Sequence, residues 1–137
     1  MENEGIVSIW LGNFPDDEAL WEYASETHFG DNGKVISTPF SRDFFGGEYY
    51  PFDTDFWERA VVEPSNDLAK LAEPFSYGDT FKVGRIKLNK TYNAVILVYD
   101  FEYEPEKIPA NAAVEFIAAV PYDNSDPFIE ELINNKE

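Results

Sequence analysis

Residues 91–103, TYNAVILVYDFEY, hold an apolar run with no polar position between Ala94 and Val98. In an extended chain Ala94, Ile96 and Val98 share one side, and Val95, Leu97 and Tyr99 the other. Such a strand is covered on both faces or runs through the middle of a sheet. Beyond it, Asp100, Glu102 and Glu104 alternate with Phe101 and Tyr103, so the far end becomes one-sided. Residues 5–11, GIVSIWL, read the same way: Ile6, Ser8 and Trp10 oppose Val7, Ile9 and Leu11. A third apolar run, AAVEFIAAVPY at 112–122, follows a polar loop at 104–111 that holds Pro105 and Pro109. That loop length suits a hairpin, so the run is expected to pair antiparallel with residues 94–103.

Between the first two strands the period changes. Gly12 and Asn13 break the first strand and Asp16 suits an N-cap, with Asp17 and Glu18 in the first turn. The helix is expected to reach about Thr27, because Leu20, Tyr23, Ala24 and Thr27 fall on one face. Residues 29–39 read as a loop around Gly30, Asp31, Asn32 and Gly33. Residues 40–45 fit a short helix or an irregular aromatic cluster, ended by Gly46 and Gly47. Residues 48–52, EYYPF, suit an edge strand, since Pro51 bars a central place. Residues 53–62 are ambiguous: Phe56, Trp57, Ala60 and Val61 have helical spacing, yet 60–63 would also make a strand, and Pro64 ends either. Ser65 or Asn66 would cap a helix running to about Glu73, stopped by Pro74. The pattern leaves 29–64 and 76–90 without firm elements, the latter holding Lys82, Arg85, Lys87 and Lys90. A last helix is expected after Asp126 and Pro127, carrying Phe128, Ile129, Leu132 and Ile133. Strands at both ends with helices between them predict a single α+β domain over 1–137, a central, mostly antiparallel sheet with packed helices.

Charge adds a functional constraint. Lys and Arg number 10 against 27 Asp and Glu, a formal −17 over 137 residues. That excess repels phosphate backbones and anionic membranes, so neither nucleic acid nor a bilayer is an expected partner. It favours a basic partner, a cation, or only solubility. No cysteine is present, which removes disulfides, thiolate nucleophiles and Cys-based zinc sites and suits a reducing cytosol. The acidic start, Met1-Glu2-Asn3-Glu4, lacks the basic and apolar regions of a signal peptide, and no stretch is long enough for a transmembrane helix.

The candidate chemistry is sparse. The one histidine, His28, cannot build a His-rich metal site, and at a helix end it reads as a surface or capping residue. Asp53 with Asp55, or Asp100 with Glu102, lie near aromatics as a glycosidase pair would, yet an acid-rich chain holds such pairs by chance. Phosphate-binding glycine loops and EF-hand spacing are missing, so no cofactor or metal is expected. Glu18, Glu22 and Glu26 recur at i, i+4 and i+8, costing about 0.2–0.5 kcal/mol per pair in an isolated helix. The stripe is either a solvated face or a surface awaiting a partner's cations.

Three stretches resemble a known family. They are VSIWLGNF at 7–14, followed by an acidic helix containing Tyr23; YNAVILVY at 92–99; and FIAAVPY at 116–122. Together they resemble the immunity protein 22 family of bacterial polymorphic-toxin systems. The resemblance implies a cytoplasmic antidote that binds and blocks a cognate toxin domain, without catalysis. The motif residues Trp10, Gly12, Asn13, Phe14, Tyr92, Asn93 and Tyr99 are mostly core types, so they are expected to shape the fold. The toxin contact must then be argued from charge. Glu18, Glu22 and Glu26 are the first candidates, with Asp53, Asp55, Asp100, Glu102 and Glu104 as alternates, facing a basic toxin such as a nuclease. The competing readings are a small carbohydrate-active hydrolase and a regulatory binding module.

Overall fold

A computed structural model of the protein describes residues 2–26, 28–105, 109 and 111–123. Four strands form one antiparallel sheet in the order β4-β5-β1-β6. They are β1 (Glu2–Gly12), β4 (Trp57–Ser65), β5 (Tyr92–Phe101) and β6 (Val114–Pro121). Helices α1 (Asp17–Tyr23), α2 (Pro39–Phe44) and α3 (Leu68–Ala72) pack on this sheet, and β2 (His28–Phe29) pairs with β3 (Val35–Ile36) as a separate ribbon. The α+β fold read from the sequence is therefore present.

The two-sided alternation of β5 is realised. Val95, Leu97 and Tyr99 join Val7, Ile9 and Leu11 in a core layer with Leu68, Leu71 and Phe75. Ala94, Ile96 and Val98 join Trp10 in the opposite layer, with Leu20, Tyr23, Phe40 and Phe44. That second layer is rich in aromatic rings: Phe40 stands edge-on to Trp10 with centroids 5.1 Å apart. Ser8, fully buried, is satisfied by donating to Phe101 O at 2.7 Å and accepting from Tyr103 N at 2.9 Å.

The expected hairpin does not form. β6 pairs with β1, with Val7 opposite Val120 and Ile9 opposite Ala118, while β5 pairs with β1 on its other side. Both faces of β1 are apolar and buried, so β1 is held in the middle of the sheet, where it separates the two runs. The ladder between β1 and β5 is irregular between Glu2 and Val7, where Gly5 at φ +82 and Asp100 at φ 57 adopt left-handed backbone.

Several other expectations are corrected. α1 stops at Tyr23, four residues short of Thr27, because Ala24 leaves helical geometry and Ser25 O accepts from Tyr50 Oη at 2.6 Å. Residues 48–52 form no strand: the Tyr50 and Phe52 rings stack at 4.9 Å, and the Tyr50 hydroxyl also pairs with Thr38 at 2.7 Å. The ambiguous stretch resolves into a 3-10 turn at Thr54–Phe56 and then β4, which runs through Pro64 to Ser65. Pro64 is tolerated because β4 is an edge strand and its register shifts between Val61 and Ser65. Asp67, rather than Ser65 or Asn66, caps α3 by accepting from Ala69 N at 3.0 Å. His28 lies in β2, not at a helix end. The helix expected beyond Asp126 lies outside the described residues. Among the described residues, no helix is long and apolar enough to cross a membrane.

Candidate functional site

The edge of β4 is where the exposed aromatic and acidic groups meet. Of the large apolar side chains, Trp21 is 52% exposed, Phe56 54% and Tyr77 38%, and all lie beside this strand. A groove of about 360 Å³ is lined by Asp55, Phe56, Glu58, Tyr77, Tyr99 and Asp100, among others. A smaller cavity of about 240 Å³ lies next to it, sharing Phe56, Tyr99 and Asp100 and adding Glu2 and Asp53. On the other side of Glu58, a third groove of about 380 Å³ runs between Trp21 and Phe75 over Arg59 and Ala60.

Local structure fixes these groups. Asp53 Oδ1 accepts from Asp55 N at 2.9 Å and so opens the 3-10 turn that presents Phe56. Glu58 Oε1 accepts from Tyr99 Oη at 2.8 Å and from Ser76 N at 3.1 Å, tying β4 to β5 and to the chain after α3. Burial, reinforced by this carboxylate, pushes the Tyr99 phenol well above its ordinary range, so it stays a donor. Asp100 Oδ1 accepts from Gly5 N at 2.9 Å and Tyr122 Oη at 2.7 Å. Tyr77 is held at φ 60, a left-handed conformation that bulky side chains rarely take, and its ring lies 5.8 Å from that of Tyr122. Arg59 stacks its guanidinium 4.0 Å from the Trp57 ring centroid. Burial lowers its pKa, while Tyr50 and Glu26 act the other way.

The candidate acids therefore fall into groups. Asp53 and Asp55, on one turn, and Asp100, more than forty residues later, converge on the neighbouring grooves. Glu102 lies at the end of β5, accepting from Asn3 Nδ2 at 2.8 Å, and Glu104 is exposed beyond it; neither lines these grooves. Glu18 and Glu22 are exposed on α1, one turn apart, flanking Trp21. Glu26 lies past the end of α1, so the expected three-membered helical stripe is reduced to two. Among the described residues, no group of three His, Asp or Glu could hold a metal ion.

Trp21, Glu58 and Tyr77 were missed by the sequence reading. For Trp21 a signal existed: it falls off the Leu20–Tyr23–Ala24 face, and a tryptophan on the outer side of a helix is unusual. Glu58 was hidden in the ambiguous stretch, and nothing in the local sequence sets Tyr77 apart.

The motif residues hold the frame. Trp10 is fully buried. Gly12 admits no side chain, because a Cβ there would lie 2.7 Å from Ala113 O. Asn13 Nδ2 donates to Thr91 O at 3.2 Å. Asn93 accepts from Phe14 N at 2.9 Å and donates to Phe14 O at 2.7 Å, clamping the turn between β1 and α1 to the start of β5. Tyr92 Oη donates to Glu115, which also pairs with Lys90 at 2.7 Å. Asn93→Ala removes both clamp bonds and is expected to cost about 1–3 kcal/mol. Urea denaturation checks this; a loss below about 0.5 kcal/mol, the range of an inert surface change, contradicts the clamp.

No curated protein and no solved structure matches the chain. The family model for immunity protein 22 matches residues 7–123, covering all of the sheet beyond the first residues of β1. The chain belongs to the immunity protein 22 family, a membership that supports an immunity function.

Proposed function

We propose that the protein neutralises a cognate toxin by binding it tightly and reversibly through the acidic, aromatic-lined surface along β4. The observation that carries this reading is the convergence of Asp53, Asp55 and Asp100 with the exposed rings of Phe56 and Tyr77 on neighbouring grooves. Stable interfaces bury aromatic anchors at their centre and keep charges at the rim, and this surface offers both. Glu18 and Glu22 continue the negative field past Trp21 on the other side of the strand.

With a formal charge of −17, the partner that fits is basic. A nuclease fits well, because an active site that binds phosphates is positive and an acidic antidote can cover it. No catalysis is required of the antidote. Asp53 and Asp100 each already hold a backbone N–H, roles that suit carboxylates of a fixed binding surface. The working site would be the cytoplasm of the cell that makes the toxin.

The experiment is binding of the purified protein to the toxin domain encoded beside it, followed by stopped flow at low and high salt. Association is expected to slow markedly as salt rises, since exposed charges are screened over about 8 Å at physiological ionic strength. Association rates that do not respond to salt would remove the electrostatic basis of the proposal.

A further inference from the structure

We propose that the open edge of β4 at residues 57–59 takes up an extended, Lys- or Arg-bearing segment of the toxin, which adds to the sheet as a short extra strand. This rests on the toxin-binding reading above and specifies its geometry.

β4 pairs with β5 on one side and, among the described residues, with no strand on the other. An unpaired edge presents a row of N–H and C=O groups to any extended chain. α1 covers part of that row with side chains: Val61 N donates to Asp17 Oδ1 at 2.7 Å, and Trp21 Nε1 donates to Arg59 O at 3.4 Å. These two bonds show that Val61 and Arg59 direct their backbone groups away from β5. In an antiparallel ladder a residue's N–H and C=O point to the same side, and alternate residues share it. Arg59 N–H and the backbone of Trp57 therefore face outward too, one step beyond the reach of α1.

The surface over this step is a groove rather than a packed element. The groove of about 380 Å³ between Trp21 and Phe75 lies over residues 58–60, where a neighbouring strand would run. Through Glu58 it continues into the groove lined by Asp55, Phe56 and Trp57. Other parts of the edge are guarded: Pro64 lies near the far end and α1 covers the middle.

Charge decides the occupant. Asp55 and Glu58 line the path, and Glu18 and Glu22 flank Trp21 at its side. The guanidinium of Arg59 is already held over the Trp57 ring. An incoming strand would thus meet backbone partners, aromatic surface at Trp21 and Phe56, and carboxylates suited to alternate Lys or Arg side chains.

The test uses the cognate toxin domain and the full chain. In wild type, exchange of the Arg59 amide hydrogen is expected to slow at least tenfold on adding saturating toxin domain. Unchanged Arg59 exchange in a formed complex overturns the proposal. In parallel, Arg59→Pro deletes the outward N–H, whereas Arg59→Ala keeps it while removing the same guanidinium. Arg59→Pro is expected to bind the toxin at least tenfold more weakly than Arg59→Ala; equal affinities overturn the proposal. Should Arg59→Pro fail to fold, the wild-type exchange result decides. If wild type does not bind the toxin domain at all, the functional reading fails and this inference with it.

Discussion

Ile96→Asp is expected to unfold the protein. Ile96 is fully buried in β5, opposite Trp10 on one neighbour and Arg59 on the other. It belongs to the core layer of Leu20, Phe40 and Trp57, and the cation opposite it on β4, Arg59, is already engaged over the Trp57 ring, 4.0 Å from its centroid. Burying an unpaired charge is among the few single changes that cost more than about 4 kcal/mol, a large fraction of a small domain's stability. Circular dichroism should show loss of the cooperative melt. A variant that melts within a few degrees of wild type would mean that β5 is not the organising strand.

The second large effect is on binding. Trp21→Ala and Phe56→Ala should each weaken the toxin complex by about 2 kcal/mol or more, roughly thirtyfold in Kd. Stability should fall by less than binding and the fold should stay cooperative, because Trp21 is 52% exposed and Phe56 54%. Ile36→Ala is the control: its side chain is 47% exposed but lines none of the grooves along β4. Calorimetric titration of the three variants distinguishes an anchored interface from general apolar exposure. Equal affinity of all three with wild type would move the toxin contact off β4.

How much of this was legible in the sequence varies with the range of the interactions. The two faces of β1 and β5 were readable because strand alternation is local: Ile96 and Val95 point apart whatever else the chain does. The cap at Asp16 was readable for the same reason, and the structure shows it accepting from Ala19 N at 2.8 Å. Sheet order was not. The pairing of β6 with β1 is decided by β1 needing cover on both sides, and loop length alone favoured a hairpin that does not exist. β4 was obscured because Phe56, Trp57, Ala60 and Val61 fit a helical period. The chain instead enters β4 through a turn set by Asp53, after which Trp57 and Ala60 serve opposite faces.

The candidate surface was only half visible. Asp53, Asp55 and Asp100 could be named from the sequence, but their convergence depends on β4 lying beside β5. The acidic stripe on α1 was overextended because Glu26 keeps helical spacing although the helix ends at Tyr23. Trp21, Glu58 and Tyr77, which line the grooves, are brought together by the edge strand and by the turn after α3, which no local pattern announces.

The central proposal is that the protein acts by occupying its toxin in stoichiometric amounts, without catalysis. The direct measurement is a titration of the toxin domain's own activity, on nucleic acid if it is a nuclease, with increasing amounts of the purified protein. Activity is expected to fall linearly, to reach zero at one equivalent and to return when the complex is dissociated. Activity that survives a large excess, or that is abolished permanently by far less than one equivalent, would contradict it.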